Sequence, residues 1–325
     1  SGRSFWILDD LEAVAQYKPD NNQLAIMRPA LAYNGSWGSQ LSSSSGKFDG
    51  THPLEGVNPA NGVVIYYNLP EFKDDQEITL TIKDSKGSVV RVISSEKDPS
   101  YKPHNGGGAP PKPLLSKNPG LNRFVWDMGY PIMPGIPDVY IEANFRGHKA
   151  IPGKYTLELE AGESKVTTMA EIREMPGFET KPGQYDEFNS FMISLETNLT
   201  EMHNMINDLY AVQHQIKGIT EKLPEGPLKS QGSSLIEKLK GWDELMVQRK
   251  SKAYDDVENF PNKFTAEYLF LINQTTSAIP RVNQSSRDRK TELDRQWTLL
   301  RATSTNLTET EIPAFNKALW EAGIG

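Results

Sequence analysis

Residues 184–223, QYDEFNSFMISLETNLTEMHNMINDLYAVQHQIKGITEKL, decide how the chain reads. Apolar side chains fall at Phe188, Phe191, Leu195, Leu199, Met202, Met205 or Ile206, Leu209, Val212, Ile216, Ile219 and Leu223. The steps alternate between three and four, which is the a/d seam of one long α-helix. At a rise of about 1.5 Å per residue, roughly 40 residues make a rod of about 60 Å. A rod with one apolar stripe needs partners, and the downstream sequence supplies them. Residues 233–250 carry Leu235, Ile236, Leu239, Trp242 and Met246 on one face. Residues 264–279 form the next helix, stopped by Pro280. Residues 291–304 run through Leu293, Trp297 and Leu300, and a last helix over about 309–322 turns Phe315 and Leu319 inward before Gly323. Short polar loops between them predict an antiparallel helical bundle over 184–325. An intramolecular core is the plainer reading of the seam, and an intermolecular coiled coil the sharper one.

Upstream the period changes from 3.6 to 2. VVIYYNL (63–69), ITLTIK (78–83), VVRVIS (89–94), LNRFVWD (121–127), YTLELE (155–160) and residues 165–175 read as strands, with another over 138–144. Asp84-Ser85-Lys86-Gly87 is a hairpin turn. Residues 98–120 hold six Pro and four Gly and read as an extended surface loop. About seven short strands predict an antiparallel β-sandwich of immunoglobulin or fibronectin type over 59–176. Residues 17–58 read as an irregular linker, with one strand at 23–28. Residues 4–8 (SFWIL) make a first strand and 11–16 a short helix. The fold class is therefore α+β and multidomain, sandwich before bundle, with 176–183 (PGFETKPG) between them.

The chain of 325 residues has no cysteine, a net charge of -7, and 37% hydrophobic against 24% charged residues. No disulfide or thiol chemistry is open to it. An acidic balance argues against a nucleic-acid surface. No apolar run reaches the roughly 18 residues of a membrane span. The first ten residues lack the basic and apolar regions of a signal peptide.

Catalytic patterns are sparse. The chain has no GxSxG, HExxH, P-loop or dinucleotide-binding fingerprint, so no catalytic residue, metal ligand or cofactor is assigned. His203 and His214 share a helix face about 16 Å apart, too far to ligate one metal, and read as surface or interface histidines. Five N-x-S/T sequons, at Asn34, Asn198, Asn273, Asn283 and Asn306, read as chance occurrences. Asp9 and Asp10 follow the first strand and read first as a turn or helix N-cap.

Four stretches together carry a family resemblance. GRSFWILDDL (2–11) resembles the segment that closes the β-propeller of bacterial sortilin-like, VPS10-type BNR-repeat proteins, often labelled glycosyl hydrolases. GLNRFVWDMGYP (120–131) and PGKYTLEL (152–159) resemble its Ig-like module, and EIPAFNKALWEAG (311–323) its helical C-terminal region. The family's propeller repeats, S-x-D-x-G-x-T-W, do not occur here, so the match is to its C-terminal part. The resemblance implies that residues 1–16 end a propeller blade. It implies export, to periplasm or cell surface. Two interaction-type folds without a catalytic motif make this a non-catalytic accessory or interaction region, whose partner is its own propeller, a propeller fragment or an envelope protein complex.

Two other functions are open. The chain could lend residues to a glycoside or peptide hydrolase whose site lies mainly on the propeller, with Asp9, Asp10, Trp37, Tyr101 and His104 as ligand-binding candidates. It could be a carbohydrate-binding module, stacking sugars on Trp37, Tyr101 or Trp126, although strand alternation points Trp126 inward.

Overall fold

A computed structural model describes residues 11–18, 22–35, 60–71, 76–103, 108–177, 179–277 and 279–324. The fold is mixed α+β, with sheets first and a run of helices after them. Among the described residues no helix is long and apolar enough to cross a membrane. Two compact units result. One comprises Ser1–Tyr101, Pro111–Pro131 and Gly147–Pro182, the other Lys102–Pro110, Ile132–Arg146 and Gly183–Gly325.

The first unit opens with helix α1 (Leu11–Gln16) and the short strands β1 (Ala25–Ile26) and β2 (Ala32–Asn34). Strands β3 (Val63–Leu69), β4 (Ile78–Lys83), β5 (Val89–Ser94), β6 (Gly120–Trp126), β7 (Gly153–Ala161) and β8 (Ser164–Glu174) follow. They make a three-stranded sheet, β1-β3-β6, and a five-stranded sheet, β2-β8-β7-β4-β5. Both sheets feed one core. Val63, Ile65, Tyr67 and Leu69 of β3 are buried together with Ile78, Leu80 and Ile82 of β4 and Leu157 and Leu159 of β7. Alternation explains this, because every second side chain of a strand faces the same way. Trp126 packs edge-on against Tyr155 at 5.4 Å and donates its indole N–H to the Gly129 carbonyl. The 84–87 hairpin forms as read: Asp84 Oδ1 accepts from the backbone N–H groups of Lys86 and Ser88, and Gly87 has φ +83°. Among the described residues all ladders are antiparallel except one. β2 lies parallel to β8, pairing Ala32 with Ile172, so a segment read as linker finishes the sheet.

Two sequence expectations are overturned here. Residues 138–144 form no strand, and residues 98–120 are not wholly surface, since Leu115 is buried in the β core and donates its N–H to Ser94 O. The segment 132–146 leaves the β unit and belongs to the helical one. Met133, Ile136, Val139, Ile141 and Phe145 are buried in the helical core. Prolines at 131, 134 and 137 deny it ladder donors. Its carbonyls are satisfied instead by His203 on Pro134, Asn207 on Gly135 and Lys252 on Asp138. Such partners let an irregular segment be buried. Gly147 marks the return: a Cβ there would lie 2.6 Å from the Pro131 carbonyl oxygen.

The second unit is built on α2 (Gln184–Thr220), joined by α3 (Pro227–Met246), α4 (Asp256–Asn259), α5 (Phe264–Thr276), α6 (Gln284–Asn306) and α7 (Ile312–Glu321). The buried seam of α2 is Phe188, Met192, Leu195, Leu199, Met202, Ile206, Leu209 and Ile216. Phe191 and Met205 only flank it, and Ile219 is 37% exposed. Gly232 lets α3 approach closely, since a Cβ would sit 2.3 Å from Thr220 Oγ1. α3 starts six residues earlier than its apolar face suggests, because Pro227 is tolerated in a first turn. Between α6 and α7 a π-helical turn spans Leu307–Glu311. It precedes Pro313, which has no N–H to offer the previous turn. Trp242 donates to Leu300 O, while Tyr268 donates to Asp294 Oδ1 and accepts from Asn198.

His203, expected at a surface or interface, is fully buried within the unit. Its Nδ1–H donates to Pro134 O at 2.6 Å, and its Nε2 has no partner among the described residues. That tautomer is neutral. Burial pushes its pKa down to about 4, against the opposing pull of the Pro134 carbonyl.

Two outcomes follow. Leu199→Ala should cost about 2–5 kcal/mol in urea unfolding, and the exposed Ile219→Ala less than about 0.5 kcal/mol. Because the unfolded imidazole takes its proton near pH 6.5, the stability due to His203 is complete above that pH. It is lost as pH falls toward 4, by about 3 kcal/mol in all. Urea midpoints between pH 7 and 4 should therefore fall less steeply in His203→Leu than in the parent, and equal slopes would refute the assignment.

Candidate functional site

One cleft of the β unit lies beside α1. It is an open depression of about 880 Å³. α1 is fixed over it by side chain to main chain bonds. Gln16 Nε2 donates to Arg28 O at 3.1 Å, and Gln16 Oε1 accepts from Arg28 N at 2.8 Å. Met27 N–H donates to Tyr66 O, which ties the same segment to β3. Ala13 turns inward, whereas Leu11 and Val14 are 62% and 51% exposed.

The floor is the outer face of β7 and β8. The register sets Lys154 opposite Glu171 and Thr156 opposite Met169. Arg173 lies two residues on, on the same face, and bonds Glu171 at 2.8 Å. Arg28 lines the mouth. The Arg173 guanidinium holds the Glu171 carboxyl below its usual range, with Lys154 and Arg28 adding to the pull. An anion held that way serves poorly as a general acid near neutrality. The same outer face continues as an ion-pair lattice, in which Glu158 bonds both Lys83 and Lys165 at 2.8 Å. The arrangement suits recognition of a charged surface.

Of the five candidate ligand-binding residues, only Tyr101 falls within the described structure. Asp9, Asp10, Trp37 and His104 lie outside the described residues. Tyr101 is half-buried and donates its backbone N–H to Asp98 O. Asp98 builds that turn: Oδ1 accepts from Ser100, and Oδ2 pairs with Lys112 at 2.7 Å. These bonds, that from Lys112 first, hold its carboxyl far below the usual range. Trp126 is 1% exposed and has no face for a sugar. His148 is buried and stacks on Tyr130 at 4.1 Å, whereas His214 is exposed.

The sequons carry structural work. Asn34 donates to Ala150 O, Asn273 exchanges bonds with Asn144, and Asn283 caps α6 by accepting from Ser286 N. Among the described residues no three His, Cys, Asp or Glu are grouped to hold a metal ion.

Sequence reasoning passed over Gln16, Arg28, Lys154, Glu171 and Arg173. The alternation of 153–161 and 164–174 was a signal for the last three, since it puts them on the solvent face of paired strands. Nothing local marked Gln16 as the partner of Arg28. No family model, curated protein or solved structure matches the chain.

Gln16→Ala should remove both bonds to Arg28. It should lower stability by about 1 kcal/mol and speed hydrogen exchange at the Arg28 amide. Unchanged exchange there would show that α1 is held by packing alone.

Proposed function

We propose that this chain is a non-catalytic interaction region of an exported bacterial sortilin-like propeller protein, working in the periplasm or at the cell surface. In this reading the β unit is an Ig- or fibronectin-like sandwich, and the helical unit is an antiparallel bundle. Two sheets sharing one core and a long helix with a buried a/d seam support those assignments. The 120–131 and 152–159 stretches that resemble the family supply β6, an edge of the three-stranded sheet, and β7, the centre of the five-stranded one.

The observation that carries the functional reading is the state of α1. It follows directly on the stretch that resembles a propeller-closing strand. It is fastened to the β unit through Gln16, and it turns Leu11 and Val14 to solvent. A short helix that spends two apolar side chains outward is fitted to meet another surface. The propeller, arriving along the same chain, is the partner this position favours. The cationic and anionic side chains of the adjoining cleft would form the polar rim of the contact.

The test is titration calorimetry of this chain against a separately produced propeller from the same polypeptide. Saturable binding is expected, weakened at least about tenfold by the pair Leu11→Asp and Val14→Asp. Turnover of a glycoside or peptide by this chain alone would overturn the proposal in favour of the hydrolase reading. Saturable glycan binding would favour the carbohydrate module.

A further inference from the structure

The helical unit carries its own cleft, about 670 Å³, between the C-terminal half of α2 and α3. Its wall is organised by Arg249, just past the end of α3. Nε donates to Asp243 Oδ2 and Nη2 to Asp243 Oδ1, both at 2.6 Å. The guanidinium carbon sits 3.5 Å from the Tyr210 ring centroid. Tyr210 is met edge-on by His214 at 4.5 Å. Asp243 is only 7% exposed, so the carboxylate that holds the arginine is itself fixed. A guanidinium stacked and clasped in this way has lost its rotamer freedom before any ligand arrives.

A guanidinium has two forks. Asp243 occupies the side-on fork of Nε and Nη2. The end-on fork, the outer N–H of Nη2 with Nη1, takes no partner among the described residues. Lys217, Lys240, Lys250 and Lys263 line the same cleft. Five cations thus line the cleft with three carboxylates, one of them committed to Arg249; Lys217 also lies 3.9 Å from Glu221, and cations still outnumber anions on a chain whose net charge is -7. The local field is opposite in sign to the molecule's. Glu237 and Glu244 offset part of it, so a single charge gains little and a ligand with several gains most.

We infer that this cleft binds a small, multiply charged oxyanion. One carboxylate or phosphate group docks end-on at Arg249 through two parallel N–H···O bonds. The lysines neutralise the remaining charge. A tricarboxylate and a pyrophosphate group both carry charge of this kind, and the choice between them is a measurement.

Calorimetric titration of the full chain with citrate and with pyrophosphate, at low ionic strength, tests this. Saturable one-to-one binding of either or both is expected, and which one binds assigns the group. Affinity should fall as salt is raised, because exposed pairs are screened beyond about 10 Å at 0.1 M. The double variant Lys240→Gln with Lys250→Gln should weaken binding at least about fivefold at an unchanged melting temperature. Lys86→Gln, in the β4–β5 hairpin, should leave binding unchanged. Arg249→Lys keeps the charge and removes the fork, and should weaken binding more than the lysine pair. The inference is overturned if neither anion saturates by about 10 mM, or if the lysine pair and Lys86→Gln have the same effect.

Discussion

The helical unit depends on one constraint, the apolar stripe of a 37-residue helix. At about 1.5 Å per residue such a helix is about 55 Å long, and its seam cannot be left in water. α3 and α5 cover parts of it, and the irregular segment 132–146 covers more. Hydrogen bonds set the positions that packing alone would leave loose. Asn198, Tyr268 and Asp294 join α2, α5 and α6 through part-buried donors and acceptors, and Trp242 bonds a main-chain carbonyl of α6. Each such bond discriminates against a shifted helix, because a buried polar group that loses its partner costs about 1–3 kcal/mol.

The β unit answers a different problem. Its core is filled by alternation, and its outer face is filled with charge. Glu158, Lys83 and Lys165 stand on the solvent side of β7, β4 and β8. Interspersed charges of both signs keep a broad antiparallel face from recruiting another sheet. Arg91 departs from this pattern. It lies in the inward register opposite Ile82, beyond a bulge between Ile82 and Lys83, and bonds Asp127 and the Gly129 carbonyl. The charge is tolerable because the bulge carries it to the edge of the core, where Asp127 is half exposed.

Much of the fold was legible because it rests on period. The strands of β3, β4, β5, β7 and β8 and the register of the long helix follow from spacing alone. What escaped has no period. Proline makes 131–137 read as a loop and 138–144 reads as a strand, yet the five apolar residues of 132–146 are buried in the helical core, where side chains of that unit bond the segment's carbonyls. β2 was hidden by its length, three residues, and by a parallel pairing with a strand about 140 positions away. His203 was misplaced because a polar residue within a seam reads as a gap. Its burial depends on a carbonyl of a distant segment that accepts from its ring N–H. The cleft beside α1 was half legible. Strand alternation puts Lys154, Glu171 and Arg173 on one face, but the clasp of Gln16 on Arg28 is a tertiary event with no sequence signature. Asp9, Asp10, Trp37 and His104 stand out by residue type and by their place near the proposed junction, and neither feature carries a period.

The excursion of residues 132–146 has a consequence for synthesis. β6 and β7 emerge from the ribosome with this segment between them, well before α2 is made. Until α2 exists, Met133, Ile136, Val139, Ile141 and Phe145 have no place to go, and His203 is not there to take the Pro134 carbonyl. The nascent β half therefore carries a sticky, unpaired stretch through the time it takes to translate the helix. Its prolines serve it then as well, since a chain without ladder donors is a poor template for cross-strand aggregation. The residues that disguise this segment in the sequence are the ones that keep it safe before its partner arrives.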